Sequence, residues 1–545
     1  MTTKKYLIFF TLIIALAAFL RFWQLGQIPL SLYWDEIAMF ADAKKVAQTG
    51  NDLHDLSPFH LIFPSYGDYK LAPYIWSATS SFALFGHNYF ALRAPSAFAG
   101  IFTIIIAGLI AFSLCPLPSH KKTYQLLTMI IIAFSPWSIL FSRTGFEGHL
   151  AQMFLSLAVL FLIYSWQKKP SLPYSFASGF FGGLAFWTYF SVRFVWPPIF
   201  LAFTLYFYLR TKKLSQALTS LTAIGIIFFI MYLTMTFTPF YQESNRFRLG
   251  TDSILNQTDL PHQINAQRQI SGNNLLSRLI FTQKGAQLSQ LLNNYAAHLD
   301  FSYLFLTGDA NLRHSSGSHG LFYLICAPLL ILGFIGLFHR DRSLLFVLII
   351  WWLAALLPAS VPTTGVPHAL RTLNALTPIA LIISFSFFPL LQLSKRSRKI
   401  YFSLISLIFC FSFIRFSWYY FTIYPTLSAP DWQASNPKLA QILIDQKDNF
   451  PHVYTTHLDD RLFLWYLAHP DTDLAQLNQK NQSHNFQFTS IDNVHFNTLP
   501  SLDTSPFFLL GPKNIILQYL QEKEPPYQIL YDYQEYGQEY LGVVL

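Results

Sequence analysis

Three observations predict an α-helical polytopic membrane protein of about 11 transmembrane helices with a small C-terminal α/β domain. The first is composition. Of the 545 residues 53% are hydrophobic, 18% aromatic and only 12% charged, and mean hydropathy is +0.35; soluble domains carry about 25% charged residues. The second is eleven apolar runs, at 6–23, 89–115, 124–141, 149–166, 174–190, 194–209, 216–238, 319–338, 343–358, 372–393 and 400–421. A span takes roughly 20 residues, within about 17–25, so 194–209 and 343–358 are the shortest candidates. The third is where the basic residues sit. Lys4-Lys5, Lys121-Lys122, Lys168-Lys169, Arg210/Lys212/Lys213, Arg340/Arg342 and Lys395/Arg396/Arg398/Lys399 occupy alternate connections, fifteen cations sharing their loops with the single acid Asp341. By the positive-inside rule these loops are cytoplasmic. The +9 formal charge is therefore topological, and no nucleic-acid partner is expected.

In chain order, Lys4-Lys5 and the run to Trp23 read as a retained anchor rather than a cleaved signal, because no helix-breaking stretch precedes a cleavage site. Eleven spans that start inside place the N-terminus in the cytoplasm and the C-terminus outside. The outward segments are then 24–88, 142–148, 191–193, 239–318, 359–371 and everything after Tyr424. Segment 239–318 is polar, and its amphipathic stretch 275–298 predicts helices lying on the membrane surface. The expected division is a membrane domain of 1–424 and an extracytoplasmic domain of 425–545. In the latter, β-rich runs (HVYTT, NFQFTSI, PFFLLG, YQILYDY, EYLGVVL) alternate with helical stretches near 435–446, 461–469 and 513–522. Cys115, Cys326 and Cys410 lie in apolar runs without ligand spacing, so they read as buried thiols, neither disulfide nor metal site.

The first sizeable break in the apolar sequence, Ser31–Pro95, opens with Asp35-Glu36 behind Tyr33-Trp34. A carboxylate held at an apolar, aromatic surface loses solvation and gains basicity, as a general base requires. The same pair also fits the start of a surface helix, where acids favour the N-terminus. Lys70, Arg93, Arg143, Arg193, Arg313 and Arg371 all fall on the outward side, where the positive-inside rule does not ask for cations. An anionic headgroup would, and the planar fork of arginine suits phosphate.

Three stretches, PLSLYWDEIAMFADAKKVAQTGNDLH, YGDYKLAPYIW and FGHNYFALRAPSAFAG, resemble the first outer loop of the protein O-mannosyltransferase and aminoarabinose transferase group. That group belongs to the C-type glycosyltransferase superfamily, which uses polyprenyl-phosphate sugars. The resemblance implies the C-type fold, Asp35 of the acidic pair Asp35-Glu36 as catalytic base, and Lys70 on the lipid phosphate; this chain reads KLAP where the aminoarabinose branch has KPP. Arg93 takes the R-x-P-S position. SPWSILFSRTGFEGHLAQMF is similar to the second-loop motif and implies Arg143 and Glu147 near the site; Glu147 fits equally the capping acid of the next span. TYFSVRF resembles the hairpin that carries Arg193. FLTGDANLRHSSGSHG and GVPHALRTLNALTP resemble late outer-loop motifs and imply Asp309, Asn311, Arg313, His314, His368 and Arg371. As isolated residues, these His and Arg also fit interfacial anchors.

The expected activity is transfer of a sugar, with inversion, from a polyprenyl-phosphate donor to a hydroxyl of a protein, glycan or lipid acceptor at the outer face. The alternative is a transporter or flippase of a lipid-linked or anionic substrate. Such proteins gather ionisable groups at the bilayer midplane, and here they gather in loops. GxGxxG, GKS/T and HExxH patterns are missing, and Asp471-Thr472-Asp473 reads as a loop. No cofactor is expected, and a divalent cation at Asp35 and Glu147 stays open because carboxylates suit hard ions.

Overall fold

The computed structural model describes residues 2–65, 68–169, 171–250, 253–475, 477, 488–500 and 506–545, without the side chains of 248 and 249. Packing divides the chain into two compact units, Met1–Trp23 with Ser96–Tyr420 and Gln24–Pro95 with Phe421–Leu545. The first outer loop thus belongs to the same unit as the C-terminal domain.

In the first unit, each apolar run carries helix. Among the described residues eight helical segments are long and apolar enough to cross a membrane: Thr3–Phe22, Tyr89–Leu114, Glu147–Gln167, Val192–Thr211, Leu214–Thr236, Arg342–Ser360, Leu373–Leu391 and Lys395–Thr422. The other three expected spans are shorter or broken. Run 124–141 is interrupted at Ser135-Pro136 into Lys121–Phe134 and Pro136–Phe141, because proline cannot donate within a helix. Leu172–Thr188 and Cys326–Arg340 have 17 and 15 residues. Small residues bring helices together, as usual in membranes. A Cβ on Gly333 would meet the Ile382 carbonyl oxygen at 1.9 Å, so helix Cys326–Arg340 packs on Leu376–Phe385 backbone to backbone. Asp341, the lone acid of the basic loops, is ion-paired with Arg210 and caps helix Arg342–Ser360 by accepting the Leu344 N–H at 3.0 Å. Expected amphipathic stretch 275–298 forms Leu275–Ile280 and Gln283–Leu299, with Leu275, Leu276, Leu279, Leu288 and Leu292 exposed. Cys115 and Cys326 are buried free thiols; Cys410, expected buried, is exposed, on a helix, Lys395–Thr422, of which only a small share is buried.

The second unit is built on a six-stranded mixed sheet. Its strands are His452–Thr455, Ser490–Ile491, Val494–His495, Phe507–Pro512, Gln528–Glu535 and Gln538–Val544. His452–Thr455 pairs in parallel with Val494–His495 on one side and Phe507–Pro512 on the other, and the last two strands form an antiparallel hairpin. Helices Asn436–Lys447, Leu462–Ala468 and Lys513–Lys523 coincide with the predicted helical stretches. Of the predicted strand NFQFTSI only Ser490–Ile491 is strand; residues 485–487 lie outside the described residues.

Onto this domain packs helix Trp34–Thr49 of the first loop, against Leu462–Ala468. Lys44 Nζ donates to the carbonyls of Leu467, His469 and Thr472 at 3.0, 2.6 and 3.0 Å, and Lys45 Nζ to that of Leu474 at 2.6 Å. Asp471-Thr472-Asp473 is therefore a loop whose backbone is gathered by a lysine. Burial lowers the Lys44 amine to about 8, against the opposing pull of Asp473 and Asp471. Gly50 ends the helix in the left-handed region at φ 78, which glycine takes at no steric cost. Beyond it Asp52 accepts the N–H groups of His54 and Leu56, each at 2.8 Å, and faces His60 Nε2 at 3.0 Å.

Candidate functional site

Asp35, Glu36, Lys70 and Arg93 lie in the second unit, and they divide into two pairs with different fates. Trp34–Thr49 begins with Tyr33 as N-cap, so Asp35 and Glu36 both occupy its first turn, where the helix dipole favours acids. Glu36 turns inward. Its carboxylate accepts the Tyr33 N–H at 3.2 Å and pairs with Arg93, Nε to Oε1 at 3.1 Å and Nη2 to Oε2 at 3.3 Å. Both side chains are fully buried. Arg93 also donates to the carbonyls of Leu25 (3.2 Å), Pro29 (2.9 Å) and Ser31 (2.6 Å), and its guanidinium lies over Trp432. All five guanidinium donors are thereby committed to the protein. In this arrangement Arg93 fastens the entry of the first loop, with Glu36 as its counter-ion.

Asp35 turns the other way. Its side chain is 39% exposed and Oδ1 meets Lys70 Nζ at 2.5 Å. Lys70 sits on the short hairpin Ile62–Ser65/Asp68–Leu71, is 4% exposed, and also reaches Asp68 Oδ2 at 2.7 Å. The expected apolar setting of Asp35 is thus replaced by an ion-paired, partly open one. Two carboxylates already pair with Lys70. Residues 66 and 67 of the YGDYKLAP motif lie outside the described residues.

The remaining candidates lie in the first unit. Arg143 is buried, and its Nη1 donates to the carbonyls of Leu20 (2.8 Å), Arg21 (3.3 Å) and Trp23 (2.7 Å), with Tyr420 under the guanidinium. It closes the C-terminal end of helix Thr3–Phe22, where orphan carbonyls and the dipole call for a cation. Glu147 is the first residue of helix Glu147–Gln167, partly exposed, in the position where an acid caps. Arg193 donates to Asn245 Oδ1 at 2.8 Å and is packed against Phe186, Phe190 and Tyr241, none of them a predicted site residue.

The late-loop motifs do converge. Asp309 Oδ2 accepts the Ala369 N–H at 2.8 Å, Oδ1 accepts the Asn311 N–H at 2.9 Å, and His314 Nδ1 stands 3.3 Å from Oδ2. The His314 and His368 rings lie 4.3 Å apart. His368 Nδ1 accepts the Arg371 N–H at 3.4 Å, which leaves its proton on Nε2, and its own N–H is accepted by His298 Nε2 at 3.0 Å. Burial first, then His314, Arg371, His298 and Arg313, hold the His368 ring well below the ordinary imidazole range, so it stays neutral at neutral pH. Ligand atoms of Asp309, His314 and His368 all lie within 4.8 Å of one another, a grouping that can hold a metal ion. No short ligand spacing announces it, because the third member comes from a loop 54 residues further on than His314.

No protein-family model matches the chain, and no curated protein sequence matches it. Solved structures do. ArnT from Cupriavidus metallidurans bound to undecaprenyl phosphate aligns over 99% of this chain and 98% of its own, with TM-score 0.55 at 12% identity. Its apo state aligns over 98% and 97%, with TM-score 0.52 at 12% identity. The archaeal oligosaccharyltransferase AglB from Archaeoglobus fulgidus, in complex with an inhibitory peptide and a dolichol-phosphate, aligns over 86% of this chain and 64% of its own, with TM-score 0.53 at 12% identity. At such identity the likeness is one of fold, and the chain has the fold of these polytopic membrane proteins with a C-terminal domain.

Proposed function

We propose that the protein is an integral-membrane glycosyltransferase that moves a sugar, with inversion, from a polyprenyl-phosphate carrier to an acceptor hydroxyl at the outer face of the membrane. The N-terminus is cytoplasmic and the C-terminal unit extracytoplasmic, as the six basic loops require. The observation that carries the reading is the separation of the acidic pair: Glu36 is spent on Arg93, whereas Asp35 stays open to solvent beside Lys70. The fold shared with a protein crystallised on undecaprenyl phosphate supplies the donor class.

In this mechanism Asp35 takes the proton of the acceptor hydroxyl. The oxygen forms its bond to the anomeric carbon as the bond from that carbon to the phosphate oxygen breaks, and polyprenyl phosphate leaves with the electron pair. Lys70, which pairs with Asp35, is the phosphate donor. Charge-assisted bonds of this kind contribute about 1.5–3 kcal/mol each. Turnover is expected to survive a chelator, and loss restored by a divalent cation would assign Asp309, His314 and His368 as its ligands.

The test is mass spectrometry of products made by the purified protein from polyprenyl-phosphate sugars. Asp35→Asn should keep the fold and donor binding while lowering turnover by about 10²-fold or more. Near-normal turnover in that variant would remove Asp35 from the mechanism.

A further inference from the structure

The second unit holds a cavity of about 800 Å³ in which Trp34, the residue before Asp35, meets the C-terminal domain. That volume falls within the roughly 300–1,000 Å³ of small-ligand sites. Asp459 organises its floor. Oδ2 accepts hydrogen bonds from Trp34 Nε1 (2.9 Å), Gln433 Nε2 (2.6 Å) and Asn436 Nδ2 (3.0 Å), and Oδ1 accepts the Arg461 N–H at 3.0 Å. The Arg461 guanidinium lies 3.6 Å above the Trp34 ring. Because Gln433 gives its amide nitrogen to Asp459, the orientation of that amide is settled. Its Oε1 finds no hydrogen-bond partner among the described residues, and its backbone sits in the left-handed region at φ 53. Two local costs at one residue of a cavity wall are what a ligand clamp carries. The rim is equally polar, with Asp460, Asn514, Gln538 and Glu539 exposed and Tyr536 at the tip of the last hairpin.

The lining selects a ligand class. Asp459, Asp460 and Glu539 outnumber Arg461, so an anion is disfavoured and the phosphate of a lipid-linked donor does not fit. Amides and carboxylates share the wall with Trp34, Leu439 and Leu458, and small-ligand sites combine a few placed polar groups with apolar surface in this way. Planar amides and carboxylates alternate as donors and acceptors, which suits vicinal hydroxyls, and Tyr536 offers a ring face of the kind that covers the C–H face of a pyranose. We propose that this cavity binds a neutral or amino-substituted saccharide, and, resting on the transferase reading above, that the acceptor is such a glycan, brought beside the helix turn that carries Asp35.

Tyr536 gives a clean test. It occupies the left-handed region at φ 49, next to Gly537 at φ 80. Glycine adopts that conformation without strain, so Tyr536→Gly removes the ring without harming the turn. The full-length protein in detergent is applied to an array of immobilised neutral, amino-substituted and uronic-acid oligosaccharides together with Ser/Thr peptides. Wild type should bind neutral or amino oligosaccharides. Tyr536→Gly, and separately Asn514→Ala combined with Gln538→Ala, should bind them about tenfold more weakly or worse, with Tm unchanged. Unaltered affinity in both variants, binding confined to uronic-acid glycans or peptides, or no binding at all would overturn the proposal. Hydrolysis of a polyprenyl-phosphate sugar by wild type without acceptor reads the transferase chemistry alone. A protein that hydrolyses the donor yet binds no saccharide loses this site and keeps its chemistry; one that binds saccharide yet never cleaves the donor keeps the site and loses the chemistry.

Discussion

Replacing Arg93 by methionine separates a structural arginine from a substrate ligand. The substitution preserves the bulk of the stem and removes five donors. Glu36 would be left fully buried without a counter-charge, and breaking such a pair from one side costs about 3–5 kcal/mol. The carbonyls of Leu25, Pro29 and Ser31 lose their donor as well, at about 1–3 kcal/mol for each that water fails to reach. The charge term alone is therefore a lower estimate. For a unit of about 200 residues each kcal/mol moves Tm by about 2–4 °C, so a loss of about 6–20 °C is expected. Thermal unfolding of the purified protein, followed by tryptophan fluorescence that includes Trp432 over the guanidinium, reads it. The double variant Glu36→Leu with Arg93→Met removes both charges and should recover part of the loss, a coupling of about 0.5–3 kcal/mol. An Arg93→Met protein with wild-type Tm and weakened polyprenyl-phosphate binding would refute the reasoning and restore Arg93 as a ligand.

Cysteines introduced at Asn51 and Ser289, in a chain whose three native cysteines are replaced, should react with an impermeant reagent from outside, and those at Ser119 and Ser397 should not; outside labelling at Ser397 would invert the scheme. The His368 ring, held neutral by burial, binds fewer protons folded than unfolded below about pH 6.5, so it contributes stability above that pH that is lost as pH falls. His368→Asn should flatten this part of the Tm-against-pH curve, and an unchanged slope would contradict the assignment. A chain ending at Thr422 should leave 24–95 open to protease, because Lys44 and Lys45 lose the carbonyls they cap; a protected loop in that chain would show that it folds alone.

The helices were legible because apolar runs separated by basic connections repeat a simple physical pattern, eight of them long and apolar enough to cross a membrane among the described residues, and the helices and longer strands of the C-terminal domain showed their own periodicity. Partners were not legible. Arg93 and Arg143 were read as outward-side cations, but what they bind are carbonyls of Pro29 and Leu20, 64 and 123 residues away. An arginine looks the same in sequence whether its fork meets a phosphate or a helix end. The split between Asp35 and Glu36 was hidden for a similar reason: adjacent positions on a first turn point about 100° apart, and only the packing decides which direction is inside. Asp309, His314 and His368 were each visible as motif residues, while their convergence needed the fold.

The lysine capping of residues 467–474 also sets an order of events during synthesis. Helix Trp34–Thr49 is made early, yet the carbonyls that hold it lie 423 to 429 residues further on. At about 5–20 residues per second, roughly 20–90 s pass before those carbonyls exist. Contacts so distant in sequence close late, so the strand-forming C-terminal segment acts as a timer for the loop that carries Asp35. A nascent or truncated chain would have helix Trp34–Thr49 without the carbonyls that Lys44 and Lys45 hold in the finished protein.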